Sequence, residues 1–437
     1  MAIRSGVVEG DRVSARPPYR EHVVIVGGGF GGLSCAESLR GADVRVTVVD
    51  RFNHHVFQPL LYQVATAGLS PAQIAAPIRQ ILSRQANASV LMAEVAGVDP
   101  DRRGLRLGDG QLDYDVLVLS AGAATSWFGH DAWAAAAPGL KTIDDALRIR
   151  ERLMESFERA ERASEPAAQL AELTFVIVGG GPTGVEMAGA IREIALRQLR
   201  RDFRNVDTAC ARIVLVEAQD RLLPSGFDES LCRRAERDLT ELGVEVRLRT
   251  RVVDLDERGA TLEGASGTER IAARNVVWAA GIRPSPLAAD LGCALDRSGR
   301  VVVAQDLSVP GRPEIFVIGD MATVTDAATG HPVPGVAPAA MQMGRHVGRE
   351  IATGLRKPFR YRDRGMLATI GRARAVGSMG GLRVGGVVAW LVWSGIHIVY
   401  LISFRQRLLV MLDWIWSYVF FSGGARLITH PAPRRRC

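Results

Sequence analysis

The chain has few cysteines, and their spacing gives them no shared function. Only five occur among 437 residues, and no two have the short spacing typical of zinc sites or redox dithiols; they are Cys35, Cys210, Cys232, Cys293 and Cys437. A disulfide scaffold, a zinc or other metal site and a dithiol active site are therefore not expected. We interpret these cysteines as small buried or unreactive thiols of a cytosolic protein.

A long apolar run at the N-terminus and extended low-complexity tracts are also absent. Residues 1–20 carry six charged side chains, so we expect no secretory signal peptide. Disorder is expected only in the first ~20 residues and in the tail. With 437 residues, 47% hydrophobic and 23% charged, the chain has the composition of a folded globular protein of two or three domains.

Negative charge is scarce at the C-terminal end. Residues 356–437 contain fourteen Arg and Lys and two acids, a balance of +12, whereas the whole chain carries +7. The rest of the chain is therefore mildly acidic. A basic segment suggests binding to nucleic acid or to an anionic lipid surface. The apolar residues around these arginines favour membrane lipid and argue against a nucleic-acid partner.

A repeated strand–turn–helix pattern organises the chain. Apolar strands at 22–26 and 174–178 lead into the glycine turns GGGFGG and GGGPTG, about 150 residues apart. A helical pattern follows each turn, and then a β-branched strand that ends in an acid, Asp50 or Glu217. Two such βαβ units predict an α/β fold with two Rossmann-like, doubly wound domains.

Each turn has the GxGxxG spacing that binds the pyrophosphate of a dinucleotide. The first glycine permits the tight turn, the second lets the backbone approach the phosphates, and the third lets the helix pack closely on the strand. The helix N-terminus then presents free N–H groups to the phosphates. The predicted cofactor-binding glycines are Gly27, Gly29, Gly32, Gly179, Gly181 and Gly184.

Asp50 and Glu217 stand where a carboxylate can accept hydrogen bonds from the ribose hydroxyls of a bound nucleotide. At the second turn this favours NAD, because the carboxylate would repel the 2′-phosphate of NADP. Arg221 lies four residues beyond Glu217, so some use of NADPH stays open.

A third acid indicates which turn binds which nucleotide. The apolar strand 314–318 leads to Asp320, far from both turns. A flavin needs such a distant acceptor for its ribityl hydroxyls, whereas NAD does not. If the first domain resumes after Gly281, FAD binds the first turn and NADH the second. Two further strands turn on Gly122 and Gly281, which we also place at the cofactors.

The expected organisation is an FAD-binding domain interrupted by a NADH-binding domain. A charged amphipathic pattern predicts a connecting helix over 143–162, and another helix is predicted over 339–353. The expected segments are 21–150 (FAD domain, first part), 151–285 (NADH domain), 286–355 (FAD domain, second part) and 356–437 (C-terminal membrane attachment).

These motifs resemble those of the type II NADH:quinone oxidoreductases over nearly the whole chain. The most specific segment is NHHVFQPLLYQVAT at 53–66, which includes Gln58 and looks like the family's segment beside the isoalloxazine. The stretch GGGPTGVE at 179–186 is nearly as specific. The resemblance implies that Glu186 lies near the nicotinamide and flavin and supports hydride or proton transfer; the alternative is an acid that only offsets the helix dipole.

A second family segment departs from its pattern. APAAMQMG at 337–344 resembles the family's Ala-Gln-x-Ala-x-Gln-x-Gly, in which the glutamines approach flavin and quinone. Gln342 retains the second glutamine, whereas Pro338 replaces the first and removes one hydrogen-bonding side chain. Proline is tolerated in a first helical turn, so the resemblance still implies a helix start at the flavin, with Ala340 and Met341 beside it.

The resemblance implies a non-proton-pumping NADH:quinone oxidoreductase of the respiratory chain, a flavoprotein that passes hydride from NADH to FAD and two electrons to ubiquinone or menaquinone. The cofactor carries this chemistry, so no catalytic triad, metal or redox cysteine is needed. Two alternatives stay open: a relative that reduces a protein or another acceptor, and a redox-sensing flavoprotein that binds NADH.

One uncharged run, 384–404, is long enough to cross a membrane, because as a helix it would extend about 31 Å. Glycines, serines and His397 interrupt the run, and arginines flank it, which favours a helix lying in the interface. The resembling family is likewise monotopic. We expect peripheral attachment at the cytoplasmic face of the cell membrane; a spanning helix or hairpin, a buried contact and a homodimer stay open.

Overall fold

The computed structural model describes residues 19–420 and 426–428. The expectations for residues 1–18, for the arginines at 434–436 and for Cys437 concern parts of the chain outside that range.

Three stretches of chain contain the strands and helices. Residues 19–142 contain β1 (Glu21–Val26), α1 (Phe30–Ser38), β2 (Val44–Asp50), β3 (His54–Val56), α2 (Leu61–Ala65), α3 (Pro71–Ile74), β4 (Ala75–Pro77), α4 (Ile78–Ile81), β5 (Ala88–Met92), β6 (Val95–Asp99), β7 (Gly104–Leu107), β8 (Gly110–Asp113), β9 (Val116–Leu119) and β10 (Ala123–Thr125). Residues 143–285 contain α5 (Ile143–Arg162), α6 (Pro166–Glu172), β11 (Thr174–Val178), α7 (Pro182–Glu193), β12 (Arg212–Val216), α8 (Glu229–Leu242), β13 (Val244–Arg247), β14 (Arg251–Asp256), β15 (Gly259–Gly264), β16 (Gly267–Ala272), β17 (Asn275–Trp278) and β18 (Ile282–Pro284). Residues 286–428 contain β19 (Val301–Val302), β20 (Ser308–Val309), β21 (Arg312–Val317), β22 (Ala322–Thr323), α9 (Ala337–Thr353), β23 (Met366–Gly371), β24 (Arg374–Met379), β25 (Leu382–Gly385), α10 (Gly386–Tyr400) and α11 (Phe404–Phe420).

The first sheet has the strand order β20-β21-β9-β1-β2-β5. β1 pairs in parallel with β2 and β9, and β21 is parallel to β9. Val23, Val24 and Ile25 of the central strand are fully buried, as expected for a parallel sheet covered on both faces. Because β21 rejoins this sheet about 190 residues after β9, the predicted interruption of the first domain by the second is confirmed.

The second sheet has the order β13-β12-β11-β17, with every pair parallel. Both predicted βαβ units are therefore present. The helix predicted after the second glycine turn begins at Pro182, as its fixed φ allows in a first turn, and continues beyond α7 as one π-helical turn over Ile194–Gln198.

Two connections join the sheets. The predicted connector is α5, capped by reciprocal hydrogen bonds: the Thr142 hydroxyl accepts from the Asp145 N–H at 3.1 Å, and the Asp145 carboxylate accepts from the Thr142 N–H at 2.9 Å. The expected boundary at 150/151 thus falls inside a helix. The second connection is the antiparallel pair β10–β18, which follows Gly122 and Gly281, both with left-handed φ (+69° and +78°).

The C-terminal segment contains a sheet that the sequence did not predict. β23, β24 and β25 form an antiparallel meander before α10. The uncharged run 384–404 is consequently not one helix: its first two residues end β25, and α10 covers only Gly386–Tyr400 before the turn into α11. Within residues 19–420 and 426–428, no helix combines the length and apolarity that crossing a membrane requires.

Candidate dinucleotide and flavin site

The first glycine turn has the geometry that its spacing predicts. Gly27 has φ +102°, and a side chain there would collide with the Ser120 backbone, while a Cβ on Gly32 would overlap the Gly27 carbonyl. Gly29, by contrast, has no atom within 4 Å of its would-be Cβ. Gly29 is also the N-cap of α1 and makes no side-chain cap. The turn is therefore closely packed at Gly27 and Gly32 and open at Gly29, the N-terminus of α1, where a phosphate can bind.

The second turn repeats this geometry. Gly179 has φ +109°, a Cβ on Gly184 would overlap the Gly179 carbonyl, and the position of Gly181 is open. Gly181 is the N-cap residue of α7, and no side chain forms a hydrogen bond with the helix N-terminus there. Two equivalent turns thus present free helix N-termini at the carboxyl ends of two parallel sheets, the place where α/β folds bind nucleotides.

The two strand-end acids support the turns in the same way. Asp50 accepts the Gly28 N–H at 2.6 Å and the Phe52 N–H at 2.8 Å. Glu217 accepts the Gly180 N–H at 2.6 Å and the Gln219 N–H at 2.8 Å. Sequence reasoning assigned both carboxylates to ribose hydroxyls, and this assignment stays a prediction. It did not anticipate that each carboxylate also fixes its own glycine turn.

Asp320 lies in the short 3₁₀ turn Gly319–Met321 directly after β21. No described residue forms a hydrogen bond with its carboxylate. Burial raises the pKa of Asp320, against the opposing charges of Lys141 and Arg300. A partly buried acceptor without a partner is the group that a ribityl or ribose hydroxyl would satisfy.

Helix α9 brings its first turns to the first glycine turn and to Asp320. A Cβ on Gly344 would overlap the Gly31 carbonyl, so α1 and α9 cross in close backbone contact. The Gly319 N–H lies 3.3 Å from the Met343 sulfur. Ala340 lies beside the Gly27–Gly32 turn, because its carbonyl oxygen is 3.4 Å from the position of a Cβ on Gly31. Met341 follows it in the first two turns of α9, whose N-cap residue Val336 makes no side-chain hydrogen bond to the helix end.

The glutamines of the family segments have different surroundings. Gln342 is half-buried, and its amide pairs with the backbone of Arg362: its oxygen accepts at 2.9 Å and its nitrogen donates at 3.0 Å. The amide thereby holds the segment after α9, a role that sequence reasoning missed. Pro338 lies in the first turn of α9, and Gln58 is exposed at the start of a 3₁₀ turn.

Glu186 lies in the second turn of α7, facing the C-terminal strand β23. Burial raises the pKa of Glu186 well above its usual range, although a hydrogen bond from the Thr369 backbone opposes the effect. The close packing depends on Gly189, where a Cβ would overlap the Ile370 carbonyl. Two turns farther along, Glu193 accepts the Arg372 N–H at 2.6 Å. The C-terminal sheet thus provides one wall around Glu186.

The segment 53–66 lies against the first glycine turn. His55 is buried, and its Nδ1 is 2.9 Å from the Gly28 carbonyl oxygen. Phe30 packs edge-on against both His55 and Phe57, with ring centroids 4.9 and 5.8 Å apart. The Phe57 ring in turn contacts His397 of α10. That contact was not anticipated; the only sequence signal was a histidine inside an otherwise apolar run.

Comparisons with known proteins agree with this geometry. Residues 21–344 match the pyridine nucleotide-disulphide oxidoreductase family, and residues 364–421 match the NDH2 C-terminal domain. The type II NADH:quinone oxidoreductase Ndh of Mycobacterium tuberculosis (strain ATCC 25618 / H37Rv) is 43% identical over 432 residues, which are 95% of this chain and 92% of that protein. The chain belongs to the type II NADH:quinone oxidoreductases.

Other relatives of this family extend the agreement. The type II NADH:quinone oxidoreductase of Staphylococcus haemolyticus (strain JCSC1435) is 28% identical over 84% of this chain and 92% of its own length. Among solved structures, NDH2 of Plasmodium falciparum in complex with NADH superposes with a TM-score of 0.85 at 19% identity, covering 93% of this chain and 99% of that one. At that identity the match shows the shared fold.

Proposed function

We propose that this type II NADH:quinone oxidoreductase binds FAD at the first glycine turn and NADH at the second, and reduces a quinone at a membrane surface. The observation that carries the proposal is the pair of equivalent open turns, the first of which has beside it a partly buried acid, Asp320, with no hydrogen-bond partner among the described residues. When bound, FAD supplies the chemistry that accepts hydride and returns two electrons.

The residues around the first turn fit FAD. The open helix N-terminus at Gly29 suits the pyrophosphate, Asp50 suits the ribose, and Asp320 suits a ribityl hydroxyl. The uncapped start of α9, beside Ala340 and Met341, offers a positive dipole end that would stabilise negative charge on a reduced flavin. In this proposal Gln58, Gly122 and Gly281 contribute to the part of the site that surrounds the bound cofactors.

The residues around the second turn fit NADH. Gly181 offers N–H groups to the pyrophosphate, and the Glu217 carboxylate disfavours a 2′-phosphate. Arg221 leaves residual NADPH use open. The raised pKa of Glu186 keeps a proton on this carboxyl at higher pH than usual, so Glu186 can donate a hydrogen bond or hold a proton near the site of hydride transfer.

The C-terminal helices provide the proposed membrane surface. Trp393 and Trp414 stack with centroids 5.5 Å apart and are buried against the body. The opposite faces expose apolar side chains; these are Val387, Val388, Leu391, Val399, Phe404, Leu408, Leu412, Ile415 and Trp416. With Arg405 exposed among them, this surface suits monotopic attachment to anionic lipid at the cytoplasmic face.

Segment roles follow from this assignment. We assign 21–150 and 286–355 to the FAD domain, 151–285 to the NADH domain, and 356–437 to membrane attachment. Quinone would approach from the attachment side, near Gln342, where Pro338 provides no side-chain hydrogen bond.

Stopped-flow spectroscopy tests the proposal on the purified full-length protein. Anaerobic mixing with NADH should bleach the bound flavin within milliseconds, and subsequent mixing with a soluble quinone should restore its absorbance. Bleaching without recovery on quinone, combined with recovery on a ferredoxin-type protein, would instead favour the alternative acceptor.

A further inference from the structure

His397 of α10 packs between its own helix and Phe57 of the segment 53–66. Its Nδ1 is 2.7 Å from the Trp393 carbonyl oxygen. A carbonyl can only accept, so Nδ1 carries the hydrogen and donates it. The imidazole also stacks on the Trp393 ring at 4.1 Å between centroids, and Phe57 packs edge-on against it at 6.0 Å. Both the orientation and the tautomer of the ring are thereby fixed.

The neighbours of His397 lead to the first dinucleotide turn. Phe57 contacts Phe30, and Phe30 begins α1 directly after Gly29. In the other direction Trp393 stacks on Trp414 of α11. The aromatic rings therefore form a continuous row from the first glycine turn to the buried side of α11, with the His397 imidazole in its middle. The His397 ring thus lies between the first glycine turn and the two C-terminal helices whose opposite faces are the proposed membrane surface.

His397 offers a lone pair rather than a hydrogen at its second nitrogen. Burial lowers the pKa of His397 to about 4, against the opposing hydrogen bond to Trp393. No charged side chain contributes to this shift, so the ring is neutral near pH 7. Nε2 has no hydrogen-bond partner among the described residues. It is also absent from the fully buried polar atoms, so it keeps some exposure to solvent.

We propose that Nε2 of His397 accepts a hydrogen bond from the hydroxyl of the reduced quinone. A quinone carbonyl has no hydrogen to donate, whereas a quinol does, so a neutral acceptor here favours the product form. His397 is thus a residue that distinguishes quinol from quinone. This inference rests on the proposed function and deepens it.

Anaerobic calorimetric titration of the full-length holoenzyme with menadione and with its quinol, menadiol, tests the inference. His397→Phe keeps an aromatic ring but removes the acceptor, and should weaken menadiol binding about tenfold, the size of one hydrogen bond. Menadione binding should stay within about twofold of wild type. His397→Gln restores an acceptor oxygen and should recover part of the lost menadiol affinity.

A second histidine provides the matched control. The Nε2 of His346 lies 3.0 Å from the Lys357 carbonyl oxygen, and the His346 ring packs edge-on against Phe359, away from the aromatic row. His346→Phe should therefore leave both affinities unchanged. Equal weakening of menadiol and menadione in His397→Phe, or no change in either, would overturn the inference. Failure of menadione to reoxidise the wild-type flavin would instead overturn the proposed function.

Discussion

At the residue scale, Glu217 combines two roles that a single substitution can separate. Its carboxylate accepts the N–H of Gly180 in the second glycine turn and the N–H of Gln219, and in the proposed function it repels a 2′-phosphate. Glu217→Gln removes the charge and leaves one acceptor oxygen. We expect weaker binding of NADH and a preference for NADH over NADPH that falls about tenfold, the equivalent of roughly 1.4 kcal/mol, as measured by titration calorimetry.

Asp50 supplies the matched control for this change, since it makes the equivalent two hydrogen bonds at the first turn. Asp50→Asn should lower the FAD content of the purified protein without altering the NADH-to-NADPH ratio of affinities. An unchanged ratio in Glu217→Gln would show that this carboxylate does not select the nucleotide.

Glu186 should make the stability of the apoprotein depend on pH. Its folded pKa is raised well above the usual value of 4.5, chiefly by burial. The folded state therefore holds the proton more tightly than the unfolded chain, and stability falls as pH rises through the interval between the two pKa values. The Glu186→Gln side chain cannot ionise. The midpoint temperature of thermal unfolding of this variant, relative to that of wild type, should therefore rise from pH 5 to pH 8. Glu37→Gln, an exposed change on α1, should show no such trend.

At the element scale, the elements that could be predicted from the sequence are those marked by strand periodicity or by the spacing of glycines. The two βαβ units, the return of strand β21 and the connector α5 all have short-range signals. The sheet β23–β25 had none that we recognised, because basic residues and the following apolar run dominate that segment. The contact of β23 with Glu186 depends on tertiary packing at Gly189, and neither that contact nor the pairing of Gln342 with the Arg362 backbone could be predicted from spacing.

The crossing of α1 and α9 should be sensitive to a single methyl group. Gly344→Ala would place its Cβ onto the Gly31 carbonyl, so α9 must move away from the first glycine turn. We expect a loss of about 1–3 kcal/mol in the free energy of unfolding and a lower ratio of FAD to protein by absorbance. Gly395→Ala is the control, because that helical position has open space and should tolerate alanine.

At the scale of the whole molecule, the C-terminal helices belong to both the core and the surface. Trp393, Leu401, Val410 and Trp414 are buried in the same core as the second sheet. Deleting residues 383–437 would therefore expose that core, and loss of membrane binding could then reflect unfolding. Substitutions confined to the exposed face test attachment while leaving the core intact.

Leu412→Asp combined with Ile415→Asp changes two exposed apolar side chains on α11, which are 50% and 53% accessible. Each charge would have to enter the headgroup and acyl boundary, so we expect the protein to stop sedimenting with vesicles that contain anionic lipid. Bleaching of the flavin by NADH should keep its wild-type rate, because the nucleotide turns lie elsewhere. Leu170→Asp, a 51% exposed position on α6, should leave sedimentation unchanged. If the double variant still sediments with vesicles, α11 does not form the attachment surface, and the exposed residues of α10 become the next to test.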